Sequence, residues 1–286
     1  GIPPQDTPIK SEFTYDSVKR KGIVDILDCP ADPVTQKKMS EMPYKQLIGS
    51  LIYASVLTRP DIVHAVSQLA QVMQNPAPVH WCLLRCLLAY LYHHRGVTLK
   101  YTRDGEAPAN KLLIAYCDAN FAAHKHRRSV AGWTLVMSGA SVEACSKLIK
   151  TVAQNTMAAE VHAMYHCSQD IKYIRNLLAS FGYPQATTPL FEDNESSIQF
   201  SKNYGLTSKN KYLEVKYFTV RQHRYDGLML PIYIQTNEQV ADPLTKNLPK
   251  PAFVKHRARL MGQKRQYALA LGAVLLLQHS NRLASE

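Results

Sequence analysis

The order of the predicted elements indicates an α/β protein, with a mixed five-stranded sheet flanked by helices and preceded by a small helical region. Two observations predict this fold class. Segments with the apolar period of helices occupy the chain from Tyr44 to about residue 106, and β-rich runs begin near residue 107. Beyond that point three predicted strands come first, and the last two strands alternate with helices. The sequence shows no internal repeat and no low-complexity tract.

The region before the sheet divides into a lead-in and a set of helices. Residues 1–43 are rich in Pro, Lys and Asp without a sustained period, so we predict an extended lead-in with one short helix. From Tyr44 onwards apolar residues recur at helical spacing, with a break at Arg59-Pro60, because proline disfavours a helical conformation of the residue before it. The run "PVHWCLLRCLLAYLYHHRG" predicts a further helix ending at Gly96. These segments make residues 44–106 a helical region.

Residues 107–250 are predicted to form the α/β domain. Its strands are "KLLIAYCD", "VAGWTLVMSG", "ASVEACS", "TPLFEDN" and "LMLPIYIQ". Its helices are a long one from about Met157 to Phe181, a short one at "ESSIQFSKN", a basic one at "KYLEVKYFTVRQHRY" and one that starts near Asn237. Residues 251–286 are read as a C-terminal helical extension. Its apolar run "YALALGAVLLL" is shorter than the ~20 residues that a spanning helix needs, so no membrane span is predicted.

Composition narrows the class of partner. The formal net charge is +12 and the pI about 9.4, which favours polyanions such as nucleic acid or an anionic membrane face. A hydrophobic content of 46% over 286 residues excludes a disordered chain. The six scattered cysteines suit reduced thiols in an intracellular compartment, without a disulfide framework. No secretory signal is visible, and a start at Gly rather than Met suggests a processed product or an excised fragment.

Four acidic residues lie where such a sheet brings side chains together. Asp118 ends the first strand, Asp193 ends the fourth, Glu160 lies on the first turn of the long helix, and Asp242 lies in the helix after the last strand. Carboxylates ~4 Å apart repel by roughly 4 kcal/mol per pair at an effective dielectric of 20, so the cluster needs protons or divalent cations. Oxygen ligands suit Mg²⁺ or Mn²⁺, and two such ions can promote displacement at phosphorus. Alternatively, each acid is a helix cap or a solvated strand end.

Two other sets of side chains resemble metal ligands. His162 and His166 are spaced as zinc ligands on one helix face, but their order with Glu160 does not match His-Glu-x-x-His, and no third ligand is evident. Cys82 and Cys86, with His80 nearby, form either half a metal site or small core residues of an apolar helix; the second interpretation is the commoner one.

Basic residues concentrate in two places. Each set is either a solvated face or a surface that contacts nucleic-acid phosphates, whose neutralisation releases counterions. The first set belongs to the basic helix and comprises Lys209, Lys211, Lys216, Arg221, His223 and Arg224. The second lies in the first hairpin, beside Asp118, and comprises His124, Lys125, His126, Arg127 and Arg128.

Five motifs then follow one another: "YKQLIGSLIYASVLTRPDIVHAVSQLAQ", "YCDANFAAHKHRRSVAGW", "CSKLIKTVAQNTMAAEV", "EDNESSIQFSKN" and "TNEQVADPLTKNL". In this order they resemble the C-terminal part of the polyprotein of Copia-type (Ty1/Copia) LTR retrotransposons. The resemblance runs from about Tyr44 to Gly262 and covers the end of the reverse transcriptase, with its thumb and connection, and the RNase H domain. It implies an RNase H-like fold for the α/β domain.

The resemblance also implies an activity: metal-dependent endonucleolytic hydrolysis of the RNA strand of RNA–DNA hybrids. Asp118, Glu160, Asp193 and Asp242 correspond to the family's metal-binding and catalytic carboxylates. In the family, the motif that corresponds to "CSKLIKTVAQNTMAAEV" has two acids two residues apart. The earlier of these positions is Ala158 in this chain, so Glu160 takes the role. Asp118 and Asp193 would hold two Mg²⁺ ions, for which Mn²⁺ can substitute. Glu160 would hold the ion on the leaving-group side and contact the ribose 2′-OH, and Asp242 the ion that activates water.

The expected partner is the hybrid, together with the polymerase portion of a reverse transcriptase or a larger assembly. The residues expected to contact nucleic acid are Arg127, Arg128, Asn194, Lys209, Lys211, Lys216, Arg221 and Arg224. No Tyr-x-Asp-Asp motif occurs in the chain, so no polymerase activity is expected. The implied location is a cytoplasmic or nuclear retrotransposon particle, with an organelle as the alternative. The rival hypothesis is a domesticated fragment that serves as a structural subunit of a larger complex without catalysis.

Overall fold

The computed structural model describes residues 4–11, 29–102, 112–123, 126–203 and 215–263. The described part before the sheet is helical, as expected. Its helices are α1 (Pro33–Ser40), α2 (Tyr44–Leu57), α3 (Val63–Ala70) and α4 (Pro78–His93), with a 3₁₀ turn at Pro60–Ile62 between α2 and α3. The short helix of the lead-in is α1, which begins where the Asp32 side chain accepts a hydrogen bond from the Thr35 amide at 2.8 Å.

Local sequence explains how two of these helices begin and end. The predicted break after α2 is confirmed, because the chain leaves the helix before Pro60 and turns through 3₁₀ geometry. Pro78 occupies the first turn of α4, where its missing amide hydrogen is not needed. The His80 ring accepts a hydrogen bond from the Ala77 amide at 2.8 Å and so caps the same helix.

A buried network of charged and polar side chains connects the helical region with the C-terminal helix that contains Arg257. Asp61, in the 3₁₀ turn, accepts two hydrogen bonds from Arg59, each 2.8 Å long, and one from the Tyr90 hydroxyl at 2.5 Å. Arg257 donates to the same Tyr90 oxygen at 3.2 Å. The carboxylate is therefore matched by a bidentate guanidinium, which is the strong form of such a pair.

The sheet has five strands in the order β3-β2-β1-β4-β5, which confirms the predicted fold class. Strand β1 pairs antiparallel with β2 and parallel with β4; β2 and β3 are antiparallel, and β4 and β5 are parallel. The strands are β1 (Ile114–Asn120), β2 (Val130–Met137), β3 (Ala140–Leu148), β4 (Thr188–Glu192) and β5 (Met229–Tyr233). The helices among and after them are α5 (Thr156–Ser180), α6 (Glu195–Lys202), α7 (Thr219–Tyr225) and α8 (Lys250–Leu260).

Both faces of β1 are covered, which explains its continuous apolar run. Ala115 and Cys117 pack into a core with residues of α5, such as Met164. Ile114 and Tyr116 pack on the opposite face, in a core that includes Val240, Leu244 and Leu260. Because side chains alternate along a strand, Asp118 belongs to the second face, under the segment that follows β5.

Contacts cross the predicted boundaries of the helical region and the α/β domain. The His64 ring lies 3.0 Å from the Ser146 hydroxyl of β3, and Ser67 donates to the Ser146 carbonyl at 2.9 Å. In α8, Phe253 packs into the core of the helical region and Leu260 into that of the sheet. The proposed division at residues 43, 106 and 250 stays a prediction.

One predicted helix is wrong. The chain after β5 forms two 3₁₀ turns, at Thr236–Glu238 and Asp242–Leu244, rather than a helix starting near Asn237. Pro243 explains this, because it disfavours an α-helical Asp242. The predicted basic helix is described only from Val215, as a 3₁₀ turn followed by α7; its first residues and the apolar run at 267–277 lie outside the described residues. No helix in the described part of the chain has the length and hydropathy to cross a membrane.

Candidate active site

Three carboxylates meet at one edge of the sheet. Oxygen atoms of Asp118, Glu160 and Asp193 all lie within 4.8 Å of one another. Asp118 lies near the end of β1, Asp193 directly follows β4, and Glu160 is in the N-terminal part of α5. Because β1 and β4 are parallel neighbours, their carboxyl ends open on the same edge, where α/β proteins place ligands. The predicted convergence of these three acids is therefore present in the structure.

The edge opens because β1 and β4 separate beyond the pair Tyr116–Phe191. Gln239 is fully buried there, and its side-chain amide donates to the carbonyls of Cys117 at 2.8 Å and Phe191 at 3.4 Å. Cys117 is the first residue of β1 beyond the last β1–β4 pair, so the Gln239 side chain supplies a donor where that ladder ends. Gln239 thereby fixes the chain segment that carries Asp242 to both strands.

Asp242 lies beside the three acids rather than among them. It is the first residue of a 3₁₀ turn, and its Oδ1 forms an ion pair with Lys246 Nζ at 2.8 Å. Burial and then the charge of Asp118 raise the pKa of Asp242 to about 7, although Lys246 opposes this rise. Among the described residues, the group able to ligate one ion consists of the other three acids.

A close backbone approach holds the Asp242 turn against β2, at the residue that faces Asp118. Asp118 faces Gly132 across the β1–β2 ladder. A Cβ on Gly132 would lie 2.6 Å from Thr245 Cγ2 and 2.8 Å from Leu244 Cβ, so glycine is needed here. In this space the Thr245 hydroxyl donates a hydrogen bond to Asp118 Oδ2. Asp118 is therefore oriented by a neighbour that the sequence analysis did not single out.

Lys246 is a second residue that sequence reasoning missed. Its Nζ lies 2.8 Å from Asp242 Oδ1 and 3.9 Å from Asp118 Oδ2. Burial works against the charged form of Lys246, but the charges of Asp118 and Asp242 outweigh it and raise the lysine pKa. A signal was available in the spacing, since Lys246 follows Asp242 by four residues in "ADPLTK".

Glu192, also missed, adds a further carboxyl to the cluster. It is fully buried, and it accepts hydrogen bonds from Cys117 Sγ at 3.0 Å and from the Asn194 amide at 3.2 Å. Burial, followed by the nearby charges of Asp193 and Asp118, raises the pKa of Glu192 to about 8. Burial and the charge of Glu192 raise the pKa of Glu160 well above its usual range. The cluster therefore holds protons at neutral pH unless cations replace them.

These residues fit a divalent metal. Glu160 is 4% exposed, and its Oε2 has no hydrogen-bond partner among the described residues. A buried oxygen without a donor is costly in a folded protein. The donor set consists only of carboxylate oxygens, which Mg²⁺ and Mn²⁺ prefer. Asp118, Glu160 and Asp193 are the residues that would hold the ion.

Several proteins whose sequences are similar to this chain are transposon polyproteins. The chain is 33% identical over 226 residues to the retrovirus-related Pol polyprotein from transposon TNT 1-94 of Nicotiana tabacum, covering 79% of the chain and 17% of the polyprotein. It is 29% identical over 222 residues to that of transposon RE1 of Arabidopsis thaliana, covering 76% and 15%. The chain is thus similar, over about three quarters of its length, to retrovirus-related Pol polyproteins of Ty1/Copia-type transposons. It spans about a sixth of these polyproteins' length. No family model matches the chain.

Three shorter proteins are also similar to parts of the chain. The secreted RxLR effector protein 161 of Plasmopara viticola is 34% identical over 137 residues, which are 48% of this chain and 94% of that protein. Among solved structures, LC11-RNase H1 isolated from compost aligns with 51% of this chain and 97% of its own, at 14% identity and a TM-score of 0.39. The RNase H1 of Halobacterium salinarum NRC-1 aligns with 46% and 93%, at 19% identity and a TM-score of 0.31.

The residues expected to contact nucleic acid differ in their exposure and contacts. Arg127 and Arg128 are exposed on the β1–β2 connection, and Arg224 is half-buried in α7. Asn194 caps α6, because its side chain accepts a hydrogen bond from the Ser197 amide at 3.1 Å. Lys209, Lys211 and the side chain of Lys216 lie outside the described residues.

Arg221 corrects the predicted nucleic-acid surface. It is 2% exposed, and its guanidinium lies 4.1 Å from the ring centroid of Phe200 and 4.6 Å from that of Phe218. Its Nε donates to the Phe200 carbonyl at 2.8 Å. A guanidinium between two rings is held by cation–π attraction and cannot reach a phosphate from there. Arg221 therefore stabilises the packing of α7 on α6.

The alternative metal ligands make other contacts. The His162 Nδ1 atom lies 2.6 Å from the Tyr217 hydroxyl, and the His166 ring stacks on Trp133 with centroids 5.7 Å apart. His80 caps α4, and Cys82 is exposed. Within the described ranges, the acidic group is the sole set of three or more side chains placed to share an ion. All six cysteines are free thiols, as expected.

Proposed function

We propose that this chain carries the ribonuclease H activity of a Copia-type reverse transcriptase, cutting the RNA strand of an RNA–DNA hybrid with Mg²⁺ or Mn²⁺. The observation that supports it most directly is the convergence of Asp118, Glu160 and Asp193 within 4.8 Å, with one buried Glu160 oxygen that has no hydrogen-bond partner in the described part of the chain. The similarity of the chain to retrotransposon Pol polyproteins also supports it. The proposal does not extend to the other activities of the whole polyprotein.

Each residue has a role that follows from its contacts. Asp118, Glu160 and Asp193 would hold the metal, which supplies Lewis acidity and lowers the pKa of bound water. Thr245 holds the Asp118 carboxylate in one orientation through its hydrogen bond. Gln239 fixes the Asp242 turn at the opening between β1 and β4. Asp242, at the margin of the triad, is the candidate for completing a second ion position.

Selectivity for a hybrid would come from the surroundings of the acids. Arg127 and Arg128 are exposed near the end of β1 that carries Asp118, so they can contact phosphates of a strand lying across the site. The ribose 2′-OH distinguishes RNA from DNA at any such site, and Glu160 is the carboxylate proposed to contact it. The net charge of +12 adds a general attraction for either strand.

A cleavage assay tests the proposal. A hybrid labelled on the RNA strand is incubated with the full chain in Mg²⁺, in Mn²⁺ and in excess chelator, beside duplex DNA of the same sequence. We expect cleavage of the RNA only, with 5′-phosphate and 3′-hydroxyl ends, and none in chelator. Asp193→Asn should lower the rate by about a hundredfold or more, since a misplaced ion costs several kcal/mol of transition-state stabilisation.

The control is Asp226→Asn, an exposed acid at the end of α7 that should leave the rate unchanged. Cutting that persists in chelator, or an Asp193→Asn variant with the activity of the parent, would contradict the proposal. The comparison with the effector protein, 94% of which the chain covers, favours one rival: a retained fragment without catalysis. The rival predicts a folded parent that neither cleaves hybrid nor binds divalent ions.

A further inference from the structure

Lys246 brings a positive charge of the protein itself into the acidic cluster. Its ammonium lies 2.8 Å from Asp242 Oδ1 and 3.9 Å from Asp118 Oδ2, on the side of Asp118 that faces Asp242. Asp118 also belongs to the triad able to hold an ion. One carboxylate is thus shared between a metal position and a lysine.

The fold holds this lysine in place. The amides of Thr245 and Lys246 both donate to the Asp242 carbonyl, at 3.1 and 3.2 Å, so the turn returns Lys246 to Asp242. Thr245 is fixed by its hydrogen bond to Asp118 and by its contact with Gly132. The Lys246 side chain is 30% exposed, which leaves it a route to solvent. The backbone turn therefore places the ammonium beside the acids, while part of the side chain is open to solvent.

We propose that the Lys246 ammonium occupies the cation position between Asp118 and Asp242, and that a second divalent ion binds there only when Lys246 moves aside. This inference rests on the proposed metal site, and it deepens that site by assigning its two positions unequal affinities. The position formed by Asp118, Glu160 and Asp193 fills first. The position between Asp118 and Asp242 fills at higher ion concentration, because the ion must displace an ammonium already paired with both carboxylates.

Lys246→Met tests the proposal, because methionine keeps the length of the side chain without its charge. Mn²⁺ is titrated calorimetrically into the full chain without nucleic acid, for the parent, Lys246→Met, Lys246→Arg and the exposed-lysine control Lys250→Met. We expect the parent to bind one ion more tightly than a second. In Lys246→Met the second ion should bind about tenfold more tightly, a difference of about 1.4 kcal/mol. Lys246→Arg and Lys250→Met should behave like the parent.

Melting curves supply a second readout. Without metal, Lys246→Met should melt at a lower temperature than the parent, because its acids lose their cation, and Mn²⁺ should raise its melting temperature by more than it raises the parent's. If Lys246→Met does not fold without metal, Lys246→Gln replaces it in both measurements. Equal second-ion affinities in the parent and in the neutral variant would overturn the proposal. The proposal would also be overturned if the neutral variant bound hybrid more weakly but bound Mn²⁺ as the parent does. That result would mean that Lys246 contacts the substrate.

The cleavage assay, run on the same preparation of the parent, separates this inference from the proposed function. A parent that binds Mn²⁺ at two unequal positions but leaves hybrid intact contradicts the nuclease and supports the assignment of Lys246. A parent that cleaves hybrid but has the same second-ion affinity as Lys246→Met supports the nuclease and contradicts the assignment.

Discussion

Two aspartates of this chain are equally buried but have opposite surroundings. Asp61 and Asp118 are each 3% exposed. Asp61 receives a bidentate guanidinium from Arg59 and a hydroxyl from Tyr90. Asp118 receives the Thr245 hydroxyl and a lysine 3.9 Å away, and it shares its site with Glu160, Glu192, Asp193 and Asp242.

The difference lies in what compensates the charge of each carboxylate. At Asp61 the protein itself supplies the compensating charge, so the network is complete when the chain is folded. At Asp118 the carboxyls outnumber the lysine that faces them, and the remaining imbalance is met by protons or by metal ions. An acid cluster that the fold leaves undercompensated is costly in itself, which is the reason to expect a ligand there.

Breaking the complete network should have the largest effect on stability. Asp61→Asn leaves the Arg59 guanidinium buried without its counterion, and breaking such a pair costs about 3–5 kcal/mol. The free energy of unfolding, measured in denaturant, should fall by that amount with or without Mg²⁺. Asp6→Asn is the control, since its pair with Lys250 is exposed and should be worth about 1 kcal/mol or less. Similar losses in the two variants would contradict this description of Asp61.

Disturbing the contact between the Asp242 turn and β2 should have the next largest effect on stability. Gly132→Ala forces a Cβ against Thr245 and Leu244, and overpacking of this kind costs about 1–3 kcal/mol. Because Thr245 is displaced from Asp118, Mn²⁺ affinity should fall as well. Gly49→Ala is the matched control: nothing lies within 4 Å of its added Cβ, so this helical site should gain a little stability. Unchanged Mn²⁺ binding in Gly132→Ala would show that Thr245 does not orient Asp118.

The pH dependence should distinguish the cluster from the rest of the chain. Glu192 has a folded-state pKa of about 8 and Asp242 one of about 7, above the usual range of unfolded carboxyls. The folded state therefore retains protons that the unfolded state releases, so the free energy of unfolding of the metal-free chain should fall as pH rises from about 5 to 8. The slope is at most about 1.4 kcal/mol per pH unit for each group.

Glu192→Gln should make this slope shallower, because it removes one titrating group. Saturating Mg²⁺ should also reduce it, since bound ions replace protons. Melting temperatures across this pH range provide the measurement. A metal-free parent that becomes more stable between pH 5 and 8 would contradict the raised pKa values.

The smallest expected effect concerns the exposed arginines. Arg127→Gln combined with Arg128→Gln should reduce the slope of log affinity against log salt by roughly 0.9 for each phosphate that an arginine no longer neutralises. Hybrid binding at several salt concentrations measures the slope. Lys37→Gln combined with Lys38→Gln, on exposed positions of α1, is the control. Equal slopes in all three proteins would place the hybrid away from the β1–β2 connection.

Much of the fold was predictable because its signals are local. The apolar run before Asp118 predicts β1, the proline at Arg59-Pro60 predicts the end of α2, and the long stretch with helical periodicity predicts α5. The alternation of the last strands with helices predicts a mixed sheet. The convergence of Asp118, Glu160 and Asp193 was also predictable, since it depends on where β1 and β4 end and on where α5 begins. The 3₁₀ turn of Asp242 was missed although Pro243 marks it.

The remaining features depend on which neighbours approach in three dimensions. Glu192 adjoins Asp193 in sequence, but its burial follows from the alternation of β4, which turns it toward Cys117. Arg221 belongs to a basic segment, yet two aromatic rings from different elements enclose its guanidinium. Lys246 becomes a partner of Asp118 only because Gly132 admits the turn that carries it.

The most direct test of the central claim compares Asp118→Asn with Asp61→Asn in denaturant, each with and without Mg²⁺. Without metal, Asp118→Asn should unfold with a free energy equal to the parent's or higher, because it relieves repulsion, whereas Asp61→Asn should lose about 3–5 kcal/mol. Mg²⁺ should stabilise the parent and Asp61→Asn but not Asp118→Asn. If Asp118→Asn were destabilised as strongly as Asp61→Asn, and Mg²⁺ changed neither the variants nor the parent, Asp118 would be a structural carboxylate and not part of a metal site.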